Sequence, residues 1–459
     1  MAQMSKAGDL TSGPMLKKII LFSLPLAASS FLQLLFNAAD VVVVGRFVGS
    51  AALAAVGSNG ALINLLVNLF VGLALGANVV AARCYGAKDD QGVHEAVQTA
   101  VTLSLVGGVL MAFVGFFAAH GLLELMSSPE DVIDLATLYL KIYFIGMPMT
   151  MLYNFNASLL RAVGDTRRPL VCLAVAGVIN VVLNLLFVIV FQMSVAGVAL
   201  ATILSQAVSA AMCFAKLLRS TGPERVVFKR IRFDGPMLRQ ITGQGLPSGV
   251  QNSIISIANV VVQSNINAFG SDAMAGCGAY AKVEGFVFLP ITAFTAAITT
   301  FIGQNLGARE YERAKRGARF GICCAVTLAE LLGVILYFIC PFVIRIFNND
   351  PAVVAIGVSQ MRTECCFFFA LAFAHGVSAV MRGAGRARMP MFTMLACWCI
   401  LRVTYITLAV QAFPAIETIF WAYPITWGTS CVVFLLYYLK ADWVHAFERE
   451  NGLRTAPGK

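Results

Sequence analysis

Arg161-Ala162-Val163-Gly164-Asp165-Thr166-Arg167-Arg168-Pro169 recurs 221 residues later as Arg382-Gly383-Ala384-Gly385-Arg386-Ala387-Arg388-Met389-Pro390. The same offset carries Gly86-Ala87-Lys88 onto Gly307-Ala308-Arg309 and lays residues 126–132 over 347–353. Leu24-Pro25 returns as Leu246-Pro247 at an offset of 222. The chain is therefore written twice, and any fold it adopts is a repeat.

What is repeated is apolar. Of the 459 residues 59% are hydrophobic and only 12% charged, with a mean hydropathy of +0.81. Soluble domains carry about 25% charged residues, so disordered, coiled-coil and ordinary soluble architectures are excluded. Spanning a bilayer takes about 20 mostly apolar residues as a helix. Twelve such stretches are centred near residues 30, 65, 105, 150, 180, 207, 255, 295, 328, 367, 400 and 428. Runs such as Leu65–Leu75 and Cys323–Cys340 do not alternate, as strands of a membrane β-barrel would. The expected fold is an all-α integral membrane protein of twelve transmembrane helices in two parallel six-helix repeats. Its expected domains are an N-lobe over 1–218, a basic linker over 219–239, a C-lobe over 240–440 and a tail over 441–459.

Lys and Arg set the orientation. Of 33 basic residues, 27 fall in both tails and in alternate loops, at 83–88, 161–168, 216–239, 309–319 and 382–388. Those loops and both termini are expected on the cytoplasmic side of a bacterial inner membrane. The +10 net charge is then largely topogenic, and no basic, aromatic-rich soluble module exists to bind nucleic acid. Lys17 and Lys18 before an apolar run resemble a signal peptide, but Ile19–Val44 is too long for one and reads as a retained first helix. Most of the twelve cysteines lie inside apolar spans as small hydrophobes, without zinc-ligand spacing.

Two parallel six-helix repeats are typical of secondary transporters. Polar residues inside the spans locate the candidate chemistry, because an intramembrane carboxylate is costly. Gln33, Asn37 and Asp40 share one face of the first span at i, i+4 and i+7. Asn64 and Asn68 form an i,i+4 pair in the second span, Asn180 and Asn184 another in the fifth, and Thr202 lies in the sixth. Amide, hydroxyl and carboxylate oxygens suit Na⁺, or bond a protonatable acid; amides that merely join helices would use the same spacing. Asp40 is the candidate coupling residue, because one buried acid cannot hold a small cation and a cationic cargo together. Pro25, mid-helix, is a candidate hinge. In the second half, Asn252, Ser256, Asn259, Gln263 and Asn267 form a stripe expected to line the cargo path, joined by Glu284. Glu330, Glu364, His375 and Arg402 are weaker candidates, explicable by internal pairing. No P-loop, HExxH or Gly-x-Ser-x-Gly element is present.

Together these features resemble the multidrug and toxic compound extrusion (MATE) family: Leu24-Pro25 followed by Asp40, Gly303-Gln304-Asn305-Leu306-Gly307-Ala308, Val283-Glu284-Gly285-Phe286, and Arg382-Gly383 with Gly385. The resemblance spans residues 14 to 440. It implies a V-shaped, two-lobe antiporter, monomeric and without cofactor. Such an antiporter exports organic cations or drugs in exchange for H⁺ or Na⁺ by alternating access. It implies a first-lobe cation site at Asp40, Asn180 and Thr202. The chain departs from the pattern at Asn184, where many relatives carry Asp, and lacks the helix 7 glutamate and helix 10 aspartate of one branch. Protons are therefore the expected coupling ion. Two rivals are a flippase for lipid-linked oligosaccharides, which should need more cavity cations than Arg402 and Arg362, and a polytopic membrane enzyme, for which His94, His120 and His445 are too scattered.

Overall fold

The computed structural model describes the backbone of residues 8–125 and 130–445, and their side chains except at 50, 51, 53, 54, 57–62, 64, 65, 125, 130 and 131. Twelve membrane helices follow one another in the described chain. The first six are α1 (Met15–Phe47), α2 (Ser50–Gly86), α3 (Asp90–Leu125), α4 (Glu130–Ile145 and Met147–Ala162), α5 (Arg167–Leu185, continued as a π-turn over Leu186–Val190) and α6 (Ser194–Leu218). The second six are α7 (Gly235–Asn267), α8 (Ser271–Gly307), α9 (Tyr311–Arg345), α10 (Pro351–Cys365 and Phe368–Gly383), α11 (Arg388–Met394, a π-turn Leu395–Leu401, then Arg402–Ala412) and α12 (Ile416–Lys440).

Among the described residues, nine helices are long and apolar enough to cross a membrane, and the two bent spans α4 and α10 bring that to eleven. The twelfth, α7, has 33 residues, about 50 Å of helix at 1.5 Å per residue. Length therefore suffices; the polar stripe from Asn252 to Asn267 is what lowers its hydropathy.

The repeat is legible in the backbone. Left-handed φ values recur at pairs 221 residues apart: Gly49 (116°) with Gly270 (96°), Lys88 (58°) with Arg309 (59°), and Gly164 (89°) with Gly385 (81°). Lys and Arg adopt this region at a steric cost, so its recurrence after α2 and α8 reflects one turn used twice. The bends of α4 and α10 also match, at 50° and 54°. At the second bend the Glu330 carboxylate accepts the Phe369 N–H at 2.9 Å, a cap for the new helix start and a structural use for that weak candidate. The expected match of 126–132 with 347–353 lies partly outside the described residues.

The compact units do not divide at residues 219–239, as the sequence reading expected. Unit 1 comprises Met1–Asp9 and Ala28–Gly249, and unit 2 comprises Leu10–Ala27 and Val250–Lys459. Both α1 and α7 change unit two residues beyond a proline, Pro25 and Pro247. Packing explains each transfer. Ile19, Phe22 and Leu26 of α1 are buried in one apolar cluster with Ile291, Phe301 and Val377 of unit 2. In unit 1, Gly72 and Gly76 of α2 meet Gly245 and Gly249 of α7 backbone to backbone. Two G-x-x-x-G faces pressed together are the close-approach solution available to helices in lipid, where apolar burial alone brings no advantage. The basic linker is likewise part of unit 1: Val226 is buried, and Ile231 and Met237 pack against the same core. The expected tail begins by packing on unit 2, through buried Trp443 and Val444; residues 446–459 lie outside the described ones.

The glycine contact makes a prediction. A side chain at position 76 would run into the backbone of Ile241 and Gly245, so Gly76→Val should cost about 1–3 kcal/mol through overpacking. A lowered thermal midpoint of the detergent-solubilised protein is the expected readout. An unchanged midpoint would show that α7 is not held by this seam.

Candidate functional site: a carboxylate–amide centre and a charged cluster

In unit 1, α1 and α5 approach closely because Gly177 leaves room for the Phe36 ring, which occupies the space where a Cβ would stand. One turn further along α1 is Asp40, and one to two turns further along α5 are Asn180 and Asn184. The knob therefore sets the register of the polar residues beyond it. Asn184 is fully buried and Asn180 5% exposed. The Asn184 side-chain amide donates to the Asp40 carboxylate and also reaches the Asn180 Oδ1, at 3.3 Å. The Asn184 Oδ1 is buried without a partner, a rare condition for an amide oxygen. Tyr139, buried on α4, is an electrostatic neighbour of Asp40.

Asp40, Asn180 and Asn184 are thus brought together. Asn37 and Thr202 are not hydrogen-bonded to that cluster. Asn37 is exposed on α1. Thr202 is half-buried, its hydroxyl donating to the Val198 carbonyl at 2.9 Å within α6. Asn68 is half-buried on α2, and the Asn64 side chain lies outside the described residues. Among those residues Asp40 forms no ion pair; its bonded neighbour is a neutral amide.

Unit 2 is built differently. Arg402, 2% exposed, donates to Thr426 at 3.0 Å and to the Asn259 Oδ1 at 3.3 Å. Its guanidinium lies over Tyr423 and Trp398, at 4.5 and 5.5 Å from the ring centroids. Glu364, fully buried, accepts from the Tyr280 hydroxyl and the Gln360 amide, each at 2.8 Å. Glu284, half-buried, is an electrostatic neighbour of Arg402, and Glu364 of both. Two acids are thus electrostatic neighbours of one guanidinium whose hydrogen bonds go to neutral Thr426 and Asn259, and among the described residues none of the three forms an ion pair.

The helix 7 stripe is accordingly divided. Asn259 is engaged by Arg402, Ser256 donates to the Asn252 carbonyl at 3.1 Å, and Gln263 donates to Asn267 at 2.8 Å on an exposed face. His375 sits edge-on between Phe288 and Trp398, with ring centroids 5.6 and 5.3 Å away.

Spacing alone leaves Glu364 and Arg402 among the weaker candidates, yet the repeat contains a signal for Arg402. An offset of 222 takes Asn37 to Asn259 and Asn180 to Arg402. The second repeat thus places a guanidinium where the first has an amide, and the nearby acids answer it.

A twice-repeated bundle of membrane helices, with a carboxylate–amide centre buried in one unit and a charged cluster in the other, defines a polytopic membrane transporter. The MatE family profile matches the chain twice, over residues 25–186 and 247–408, and the chain belongs to that family. It is 28% identical over 409 residues to the probable multidrug resistance protein YpnP of Bacillus subtilis, covering 88% of this chain and 90% of that one. It is 24% identical over 351 residues to a FAD transporter of Shewanella oneidensis, covering 75% and 77%. A crystal structure of MATE in the bent conformation superposes with a TM-score of 0.90 at 22% identity, over 98% of this chain and all of that one.

Proposed function

We propose that the protein is a multidrug exporter that exchanges an inward-moving cation for an organic cation by alternating access, with Asp40 as the exchange site. One observation carries the reading. Asp40 is a membrane carboxylate whose bonded partner is the neutral Asn184 rather than a base, so its charge remains available to a small cation or a cationic cargo but not to both. Names of relatives that are multidrug resistance proteins support the cargo class.

The coupling ion in this reading is H⁺. Asn184 presents its N–H to Asp40, and Asn180 accepts from Asn184 instead of facing the acid. That arrangement offers Na⁺ few free oxygens, the unpartnered Asn184 Oδ1 among them. Pro25 serves as the hinge, at the place where α1 passes between units. The half-exposed polar faces of α2 and α7 (Asn68, Asn252, Ser256 and Gln263) contribute to the cargo path with Glu284. The protein works as a monomer in the cytoplasmic membrane with both termini inside.

A phosphate-bearing cargo, whether a dinucleotide or a lipid-linked saccharide, is less well served. Arg402 is engaged by Asn259, Thr426 and two rings, and Arg362 lies 5.5 Å over the Tyr337 ring. The test is ethidium transport in proteoliposomes under an imposed H⁺ gradient, then under an imposed Na⁺ gradient. Transport driven by the H⁺ gradient alone is expected. Transport under neither gradient would remove the exchange reading, and transport under Na⁺ alone would reverse the choice of ion.

A further inference from the structure

The segment from Lys216 to Arg239 lies wholly in unit 1 and carries seven basic residues against two acidic ones. Both acids are engaged locally. The Ser220 hydroxyl donates to Glu224, and the Asp234 carboxylate accepts the Met237 N–H at 3.0 Å, capping the first turn of α7. The basic residues Lys216, Arg219, Arg225, Lys229, Arg230, Arg232 and Arg239 are all exposed, and none is ion-paired among the described residues.

Orientation alone would require only that these charges lie in a loop. The loop is folded in more detail than that. The Val226 N–H donates to the Leu217 carbonyl at 3.2 Å, so the chain doubles back alongside the last turn of α6. Val226 is buried at 2% exposure and holds it there. Phe228 then comes to rest edge-on against Phe214, ring centroids 5.7 Å apart. Phe214 precedes the end of α6 by four residues, about 6 Å back along the helix toward the bilayer. Phe228 nevertheless remains 65% exposed, and Phe233, beyond Arg232, is 42% exposed. Between the two rings a 3₁₀ turn, Phe228–Arg230, presents Lys229 and Arg230, followed by Arg232.

We propose that this segment is a docking surface for anionic phospholipid headgroups of the adjoining leaflet. Phe228 and Phe233 enter the boundary between headgroups and acyl chains, and Lys229, Arg230 and Arg232 contact the phosphates. Exposed aromatics beside unpaired cations at the end of a membrane helix are the elements such binding needs. A soluble acidic partner would be poorly placed to cover a ring that sits below the helix end.

The test places a reporter at the ring. Phe228→Trp is reconstituted with acyl-brominated phosphatidylglycerol or with acyl-brominated phosphatidylcholine, and quenching of the added fluorescence is compared with the unsubstituted protein. Stronger quenching by the anionic lipid at low salt, converging at high salt, is the expected result. Adding Lys229→Gln, Arg230→Gln and Arg232→Gln should reduce the lipid preference by about fivefold per cation removed. Equal quenching by the two lipids at low salt, or none by either, overturns the proposal. The salt titration on Phe228→Trp alone decides the matter if the multiple variant fails to assemble.

Discussion

Asp40→Asn is expected to reduce gradient-driven ethidium transport at least tenfold while leaving the protein folded in the membrane. The substitution is nearly isosteric, and an asparagine oxygen can still accept from Asn184, so the contact between α1 and α5 survives. What disappears is the ability to bind and release a cation. Replacing a membrane carboxylate by an amide also removes a desolvation cost, so the thermal midpoint should hold or rise. Initial rates in proteoliposomes under a proton gradient, read beside the melting curve, separate the two effects. Normal transport by Asp40→Asn would remove this residue from the mechanism, and lost transport with a collapsed midpoint would mark it as structural.

Arg402→Met should have the largest effect on stability. It takes the positive charge away from its electrostatic neighbours Glu284 and Glu364, and each buried polar partner left unsatisfied costs about 1–3 kcal/mol. It also deletes the contacts to Asn259 and Thr426 that join α11 to α7 and α12. The double variant Arg402→Met/Glu364→Gln should recover much of the loss, because the neutral amide no longer needs a counter-charge. A non-additive recovery of about 0.5–3 kcal/mol is the expected coupling for residues in one network. If Arg402→Met melts with the unsubstituted protein, the second-unit cluster is not a charge-compensated group.

Several parts of the site follow from spacing alone. Asn180 and Asn184 had to share a helix face, and Asp40 was conspicuous as an acid among apolar neighbours. The meeting of Asp40 with Asn184 could not be read that way, since it depends on Phe36 fitting against Gly177, two residues 141 positions apart. Asn37 and Thr202 show the converse: helical spacing and resemblance selected both, yet neither joins the cluster. A residue one turn away can share a polar face and still point past its neighbour's partner.

Apolar runs of spanning length, basic residues in alternate loops, and two copies of one six-helix plan offset by 221 or 222 residues already define the class of this protein. The apolar runs are local properties, and solvation by lipid turns them directly into helices. Where the units divide and which polar groups meet depends on packing between helices distant in sequence. The first halves of α1 and α7 join the opposite repeat's unit because Ile19, Phe22 and Leu26 find their apolar neighbours in one case, and paired glycines allow backbone approach in the other. Glu364 and Arg402, ordinary in spacing, are each held by buried hydrogen-bond partners, Tyr280 and Gln360 for the acid and Thr426 and Asn259 for the base, that only the packed helices supply.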